Sequence, residues 1–328
     1  MPEQVTFGTT EEEGIEFAPD GRSFLTSIGT RQSTLWIHDS RGDRQVTSEG
    51  YTFQPSFSAD GKKLFYLVLA ANSTSTIQRG SLWVMDLATG DRQRLLPDYL
   101  MENYTVSQDG QRILFVAAPE TQNRGVWLAP LNGRSAPRRL AASEGLQAFF
   151  GTAGEVFFAA QEKDGNFVYR VKEDGSGLTK VTLPHSVFYL YGISPDGKYL
   201  AAWVNSGRTD DTANAVGIYP LDGGSPTMIC DACGGRGGSD EPGFLSWSAD
   251  GKFLYLALWR DTPFAIPLRA GRILPPLPAT GIQSKADMAA LPGAKPFPVP
   301  GAFAGPNPSI YAYAKLTAQR NIYRVPVP

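Results

Sequence analysis

The sequence predicts an all-β fold: a seven-bladed β-propeller of four-stranded antiparallel blades, its ring closed by the N-terminal strand. Three observations carry the prediction. First, one phrase recurs, in which a short apolar strand meets a turn built on Asp-Gly and a second apolar strand follows. Its copies read IEFAPDGRSFLTSI from Ile15, PSFSADGKKLFYLVLA from Pro55, YTVSQDGQRILFVA from Tyr104, YGISPDGKYLAAWV from Tyr191 and LSWSADGKFLYLAL from Leu245. Second, the copies return after roughly 40–50 residues, the length of one propeller blade. Third, the 328 residues are 42% hydrophobic and 11% aromatic, which supplies a large core and argues against disorder.

Each element of a unit follows from its residues. The first strand ends at a turn such as Ser58-Ala59-Asp60-Gly61 or Ser194-Pro195-Asp196-Gly197. There Asp accepts hydrogen bonds from backbone amides just ahead, and Gly supplies a positive φ. A second strand of aliphatic and aromatic residues follows, as in LFYLVLA. After a loop of variable length comes a third, seen as LWIHD, LWVMD, VWLAP and VYRVK. A further turn (ATGD, LNGR, EDGSG, LDGG) leads to a more polar fourth strand such as RQVTS or TKVTL. Repetition at one structural position assigns Asp20, Asp60, Asp109, Asp196 and Asp250 to hairpin capping, and Trp36, Trp83 and Trp127 to packing between blades. His38, two residues after Trp36, reads as a hydrogen-bonded histidine in the same packing.

Counting the units sets the architecture. A degenerate copy, AFFGTAGEVFFAA, fills the gap between the third and fifth, and a seventh is built from Gly305-Pro306-Asn307-Pro308, SIYAYAKL and NIYRVPV. The units span about 14–50, 51–100, 101–145, 146–185, 186–240, 241–279 and 280–328, as one domain. The last lacks a fourth strand, and residues 3–9 supply one. Such closure removes the open interface of the ring. Six blades, with an irregular tail from Thr280, is the alternative.

Composition excludes several classes. A net charge of −2 and pI near 5.8 give no electrostatic footprint for nucleic acid. No stretch approaches the apolar length of a membrane span. MPEQVTFGTTEEEG has neither the basic nor the apolar region of a signal peptide. Two cysteines rule out a disulfide-framework fold.

The turns Ser194-Pro195-Asp196-Gly197-Lys198, Ser248-Ala249-Asp250-Gly251-Lys252, Ser58-Ala59-Asp60-Gly61-Lys62 and Pro19-Asp20-Gly21 resemble those of the TolB-like, WD-repeat-like bacterial β-propellers. The likeness runs over essentially the whole chain, although TolB itself carries a separate N-terminal α/β domain with no counterpart here. It implies the fold, while such propellers serve as protein-docking platforms, periplasmic modules or accessory domains of enzymes. The chain is also similar to the propeller found C-terminal to a transmembrane segment in some bacterial receptor-type serine/threonine kinases. It ends on NIYRVPVP as a C-terminal domain would, and it lacks the glycine-rich loop, His-Arg-Asp and Asp-Phe-Gly of a kinase. That resemblance implies a sensor rather than a catalyst.

Candidate sites lie where the repeat breaks. The long segments Ala71–Gly80, Ala118–Gly125, Asn205–Asn214 and Cys230–Gly243 all fall on the face of the inter-blade loops, opposite the Asp-Gly turns. On that face Glu11, Glu13, Glu102, Asn103, Glu144, His185, Asp210 and Asp211 are the ligand-binding candidates. Acidic groups around a propeller mouth suit a cation or a basic ligand, and solvated loop carboxylates are the plain alternative. Cys230-Asp-Ala-Cys233 has the spacing of a local disulfide, a thiol pair, a redox pair or half a zinc site. With no second cysteine pair and both histidines in other units, no metal or cofactor is assigned. There is no Gly-x-Ser-x-Gly and no His-Glu-x-x-His.

These features predict a non-catalytic module that binds a protein, peptide or glycan on its loop face, the extracytoplasmic sensor of a bacterial receptor-type kinase. Two alternatives accompany it: an enzyme acting on carbohydrate or another small molecule at the central mouth, and an intracellular scaffold. An enzyme predicts converging carboxylates or a metal in the central funnel.

Overall fold

The computed structural model describes residues 11–48, 50–70, 78–118, 124–141, 145–205, 214–230, 244–257 and 262–326. Within them the repeated phrase folds as one hydrogen-bonded turn. Ser58 Oγ donates to Asp60 Oδ1 at 2.6 Å and accepts the Lys63 N–H at 2.9 Å, and Asp60 Oδ1 accepts the Lys62 N–H at 3.1 Å. The pairs Ser107–Asp109, Ser194–Asp196 and Ser248–Asp250 repeat this arrangement. At Asp20, where Ala18 replaces the serine, the carboxylate keeps its bond from the Arg22 N–H at 3.0 Å.

Strands spread outward from these turns. The chain opens with β1 (Glu11–Phe17), β2 (Ser23–Asp39) and β3 (Gly42–Gln45). Blade A is β4 (Thr52–Phe57), β5 (Lys63–Leu69), β6 (Gly80–Asp86) and β7 (Arg92–Leu95). Blade B is β8 (Met101–Val106), β9 (Arg112–Ala117), β10 (Gly125–Pro130) and β11 (Arg138–Ala141). Blade C is β12 (Gly145–Phe150), β13 (Glu155–Glu162), β14 (Gly165–Lys172) and β15 (Thr179–Val181). Blade D is β16 (Val187–Ile193), β17 (Tyr199–Asn205), β18 (Asn214–Pro220) and β19 (Thr227–Cys230). Blade E is β20 (Phe244–Trp247), β21 (Phe253–Ala257), β22 (Phe264–Pro267) and, after a long excursion, β23 (Lys295–Pro296). Blade F joins the two ends of the chain: β24 (Phe303–Ala304) and β25 (Tyr311–Pro326) pair with β2 and β3.

The core lies between blades. Six apolar clusters alternate with the six sheets, each drawn from two consecutive blades. Leu67 and Leu82 of blade A meet Phe115 and Trp127 of blade B, for example, and Leu35 and Ile37 of blade F meet Leu64 and Tyr66 of blade A. The last pairing closes the circle.

The described residues therefore form six four-stranded blades where the repeat count predicts seven. The first and seventh sequence units share one sheet. SIGTRQST and LTAQR carry no dipeptide that reverses a strand, so β2 runs for 17 residues and β25 for 16. The two zip together from Ser23↔Pro326 to His38↔Tyr311. Only the ends near His38 and Tyr311 belong to the ring. The remainder, joined by β1, continues as a three-stranded ribbon outside all six apolar clusters. The six-bladed alternative also needs correction, because Tyr311–Tyr313 lie in a blade and not in a tail. Residues 3–9, expected to close the ring, lie outside the described residues.

The expected boundary at 279–280 moves as well. The excursion between β22 and β23 carries helix α1 (Lys285–Ala290), capped by Ser284, and buries Ile282, Met288 and Leu291 in the core between blades D and E. Residues assigned to a last blade thus complete the fifth. Among the described residues no helix is long and apolar enough to cross a membrane.

Candidate functional site

The inner strands of the blades, through Ser56, Thr105, Phe149, Tyr191, Ser246 and Ala304 among others, line a central cavity of about 740 Å³. It opens among the Asp-Gly turns, since Ser58, Asp109, Ser194 and Ser248 also border it. Gln108 Nε2 donates to Ala249 O at 3.2 Å, bridging blades B and E on opposite sides of the ring. Inner strands are also tied laterally. Tyr104 Oη donates to Gln54 O at 2.7 Å and Thr105 Oγ1 to Ala148 O at 2.8 Å, each reaching a neighbouring blade.

The cavity's charges are joined in one network. Arg112 Nη1 meets Glu173 Oε2 at 2.5 Å across the boundary between blades B and C, and its Nη2 meets Asp109 Oδ2 at 3.0 Å. The guanidinium carbon lies 5.5 Å from the centre of the Phe150 ring. Asp109 is held below the usual carboxylate range, first by the Ser107 hydroxyl, then by the Gln111 amide and the charge of Arg112. Burial pushes the phenols of Tyr191 and Tyr255 up, so both remain protonated. This arrangement presents paired charges beside neutral hydroxyls.

The sequence-predicted residues fall elsewhere. Glu11 and Glu13 lie on β1, in the ribbon, and their side chains are outside the description. Glu102, the second residue of β8, is a structural counter-ion: Oε1 meets Arg79 Nε at 3.2 Å, Oε2 meets Arg124 Nε at 2.9 Å, and its side chain is 11% exposed. Neighbouring Asn103 donates from Nδ2 to Leu146 O of blade C. Both residues are thus engaged in holding the loop ends of blades A, B and C. His185 is half-buried in the segment between β15 and β16. Glu144, Asp210, Asp211 and Cys233 lie outside the described residues, as does most of the four long loops. Cys230, at the end of β19, is buried and disulfide-bonded. Among the described residues no group of three or more His, Cys, Asp and Glu is placed to hold a metal ion.

His38 makes the hydrogen bond expected of it, Nδ1 to Asp43 Oδ1 at 2.9 Å. Its ring, however, stacks on Tyr311 of the same sheet at 4.8 Å, so its main contact is within blade F and not between blades. The residues that sequence reasoning missed are Gln108, Arg112 and Glu173. Arg112 occupies the repeat position filled by Lys63, Tyr199 and Phe253, so nothing in the local pattern marks it as a bridge to Glu173.

A ring of radially packed four-stranded sheets around a central cavity is a β-propeller. No family model and no curated protein matches the sequence. Among solved structures the chain is similar to a putative TolB from Agrobacterium tumefaciens, with TM-score 0.57 and 16% identity over 88% of this chain and 99% of that one. TolB from Acinetobacter baumannii gives 0.50 and 17% over 77% and 60%. An oligogalacturonate lyase in complex with manganese gives 0.50 and 12% over 81% and 85%. The chain has the TolB-like β-propeller fold. Because TolB and a lyase share it, the fold by itself assigns no activity.

Proposed function

We propose that this chain is a non-catalytic binding propeller, the extracytoplasmic sensor domain of a bacterial receptor-type serine/threonine kinase. The observation that carries the binding reading is the pairing of Arg112 with both Asp109 and Glu173. Those charges are spent on one another and rigidify the ring on its turn side, which supports a scaffold that binds rather than transforms a ligand on the opposite face. The disulfide at Cys230 supports an oxidising compartment. The ligand is a protein, peptide or glycan on the loop face, near His185 at the entry to blade D, with Glu144, Asp210 and Asp211 as further contacts.

The test titrates the purified chain with cell-envelope glycans and peptides while recording thermal stabilisation and product formation. Stabilisation without product is expected. Turnover that disappears in Asp109→Asn or Glu173→Gln overturns the non-catalytic reading. For the sensor role, a reporter fused to the chain in its natural reading frame is expected to be active only outside the cytoplasmic membrane; cytoplasmic activity overturns that role.

A further inference from the structure

The excursion between β22 and β23 builds a second cavity. In blades A to D the third strand reaches the fourth through five to seven residues, and in blade E through 27. The first part of that insert packs toward blade D and walls a groove of about 820 Å³ between the two blades. The groove lies on the face of the Asp-Gly turns, since Asp196 and Lys198 of the blade D turn line it.

Its charges are unbalanced. Lys198, Arg269 and Arg272 line the groove with a single carboxylate, Asp196. Asp196 Oδ1 already accepts from the Ser194 hydroxyl at 2.5 Å and from the Lys198 N–H at 3.1 Å. The repeat sets Lys198 apart. In the same turn of blades A and E, Lys62 pairs with Asp60 at 3.8 Å and Lys252 with Asp250 at 3.0 Å. Among the described residues Lys198 makes no ion pair, and neither do Arg269 and Arg272.

A turn holds the two arginines together. The Arg272 N–H donates to Arg269 O at 3.0 Å, and Gly271 supplies φ +73 at the third position. The ends of such a turn lie within about 7 Å, Cα to Cα. Like charges so placed repel unless an anion sits between them, and the guanidinium fork fits phosphate or carboxylate oxygens. Apolar side chains complete the lining. Ile273, Leu274 and Leu277 are half-buried, packed on the core between blades D and E and reached from the groove.

We propose that this groove binds an organic phosphomonoester, its phosphate held by Arg269, Arg272 and Lys198 and its apolar body laid on Ile273, Leu274 and Leu277. Charge selects the group. Three cations and one carboxylate leave two positive charges, which a phosphomonoester at about −1.5 to −2 matches and a single carboxylate does not. The site stands on the face opposite the proposed loop-face ligand and does not depend on it.

The test is calorimetric titration of the full chain, in buffer free of phosphate, with octyl phosphate below its micelle concentration. Saturable binding of one molecule per chain is expected. Octanoate and inorganic phosphate should each bind at least about tenfold more weakly, and octyl glucoside should not bind. Arg269→Ala with Arg272→Ala should weaken octyl phosphate at least about tenfold, with an unchanged circular dichroism spectrum because both side chains are exposed. Lys62→Ala, at the equivalent turn of blade A, should change nothing. Vesicles of phosphatidylcholine with phosphatidic acid distinguish two sources of the group. Pelleting that the arginine variant loses identifies a lipid phosphate, binding of octyl phosphate without pelleting identifies a soluble one, and either upholds the site. Absence of saturable octyl phosphate binding overturns the proposal, as does binding that survives the double arginine variant. Equal affinity for octyl glucoside overturns the phosphate contact, and equal affinity for inorganic phosphate overturns the apolar one.

Discussion

At the scale of residues, the molecule rests on a repeated hydrogen-bond exchange among a serine hydroxyl, an aspartate oxygen and two turn amides. Ser248 is buried, and its Oγ both donates to Asp250 and accepts the Phe253 N–H at 3.0 Å. Ser248→Ala orphans that amide and should cost about 1–3 kcal/mol, read as a lower urea midpoint at unchanged slope. The Ser248 hydroxyl, followed by the Lys252 amide, holds the Asp250 carboxyl down at about 2, and Arg41 does the same for Asp39, also to about 2. A folded-state value below the unfolded one contributes stability that is complete above the ordinary value of 3.8 and lost as pH falls toward about 2. Denaturation midpoints should therefore fall across that acid window, and Asp250→Asn should flatten the fall. Both carboxylates border solvent, which keeps the effect small. Glycines of the turn separate two costs. Gly110 stands at φ +67 with nothing near its missing Cβ, whereas Gly197, at φ +71, would set a Cβ 2.4 Å from Thr152 Oγ1. Gly110→Ala should cost about 1 kcal/mol, the backbone penalty alone, and Gly197→Ala measurably more in the same urea titration.

At the scale of elements, the hairpin phrase was legible and the strand ends were not. Alternation and Asp-Gly identify β4–β5, β8–β9, β16–β17 and β20–β21, because local turn chemistry decides them. The length of β2 and β25 depends on each finding the other across the whole sequence, which no local pattern encodes. The ribbon they form has few buried apolar contacts. Amides of β1 should exchange with deuterium much faster than those of β9 or β13, whose residues are buried between blades. Equal protection would show that the ribbon is held by the ring itself. Glu102 makes a related point: a carboxylate that looks available in sequence is enclosed by Arg79 and Arg124, which arrive from the ends of two different loops.

At the scale of the whole molecule, closure distributes stability around a ring of nearest-neighbour interfaces. Blade F is shared by both ends of the chain, with Leu35–Asp39 and Gly42–Gln45 completing a sheet begun by Phe303–Ala304 and Tyr311–Tyr313. Deleting residues 311–328 removes that sheet's central strand and opens two of the six clusters, those holding Ala312 and Tyr311. Calorimetry should then show a broad transition spread over several steps in place of a single cooperative one. Retention of one sharp transition would mean that the ring does not depend on closure. The same geometry brings Gln108 to Ala249 and Arg112 to Glu173, joining units far apart in sequence.

The sequence alone determined that this protein is an all-β propeller, because the strand period, the Asp-Gly turns and their spacing are local properties repeated along the chain. It also determined that the turn aspartates cap hairpins, since one residue at one position in successive copies serves a common backbone need. Only the tertiary structure decided that the described residues form six blades, that the first and last units share a sheet, and that Arg112 ties Asp109 to Glu173. Those outcomes depend on pairing between distant segments. A strand's partner, and a side chain's neighbour on the next blade, are chosen by closure of the ring and not by the residues beside them.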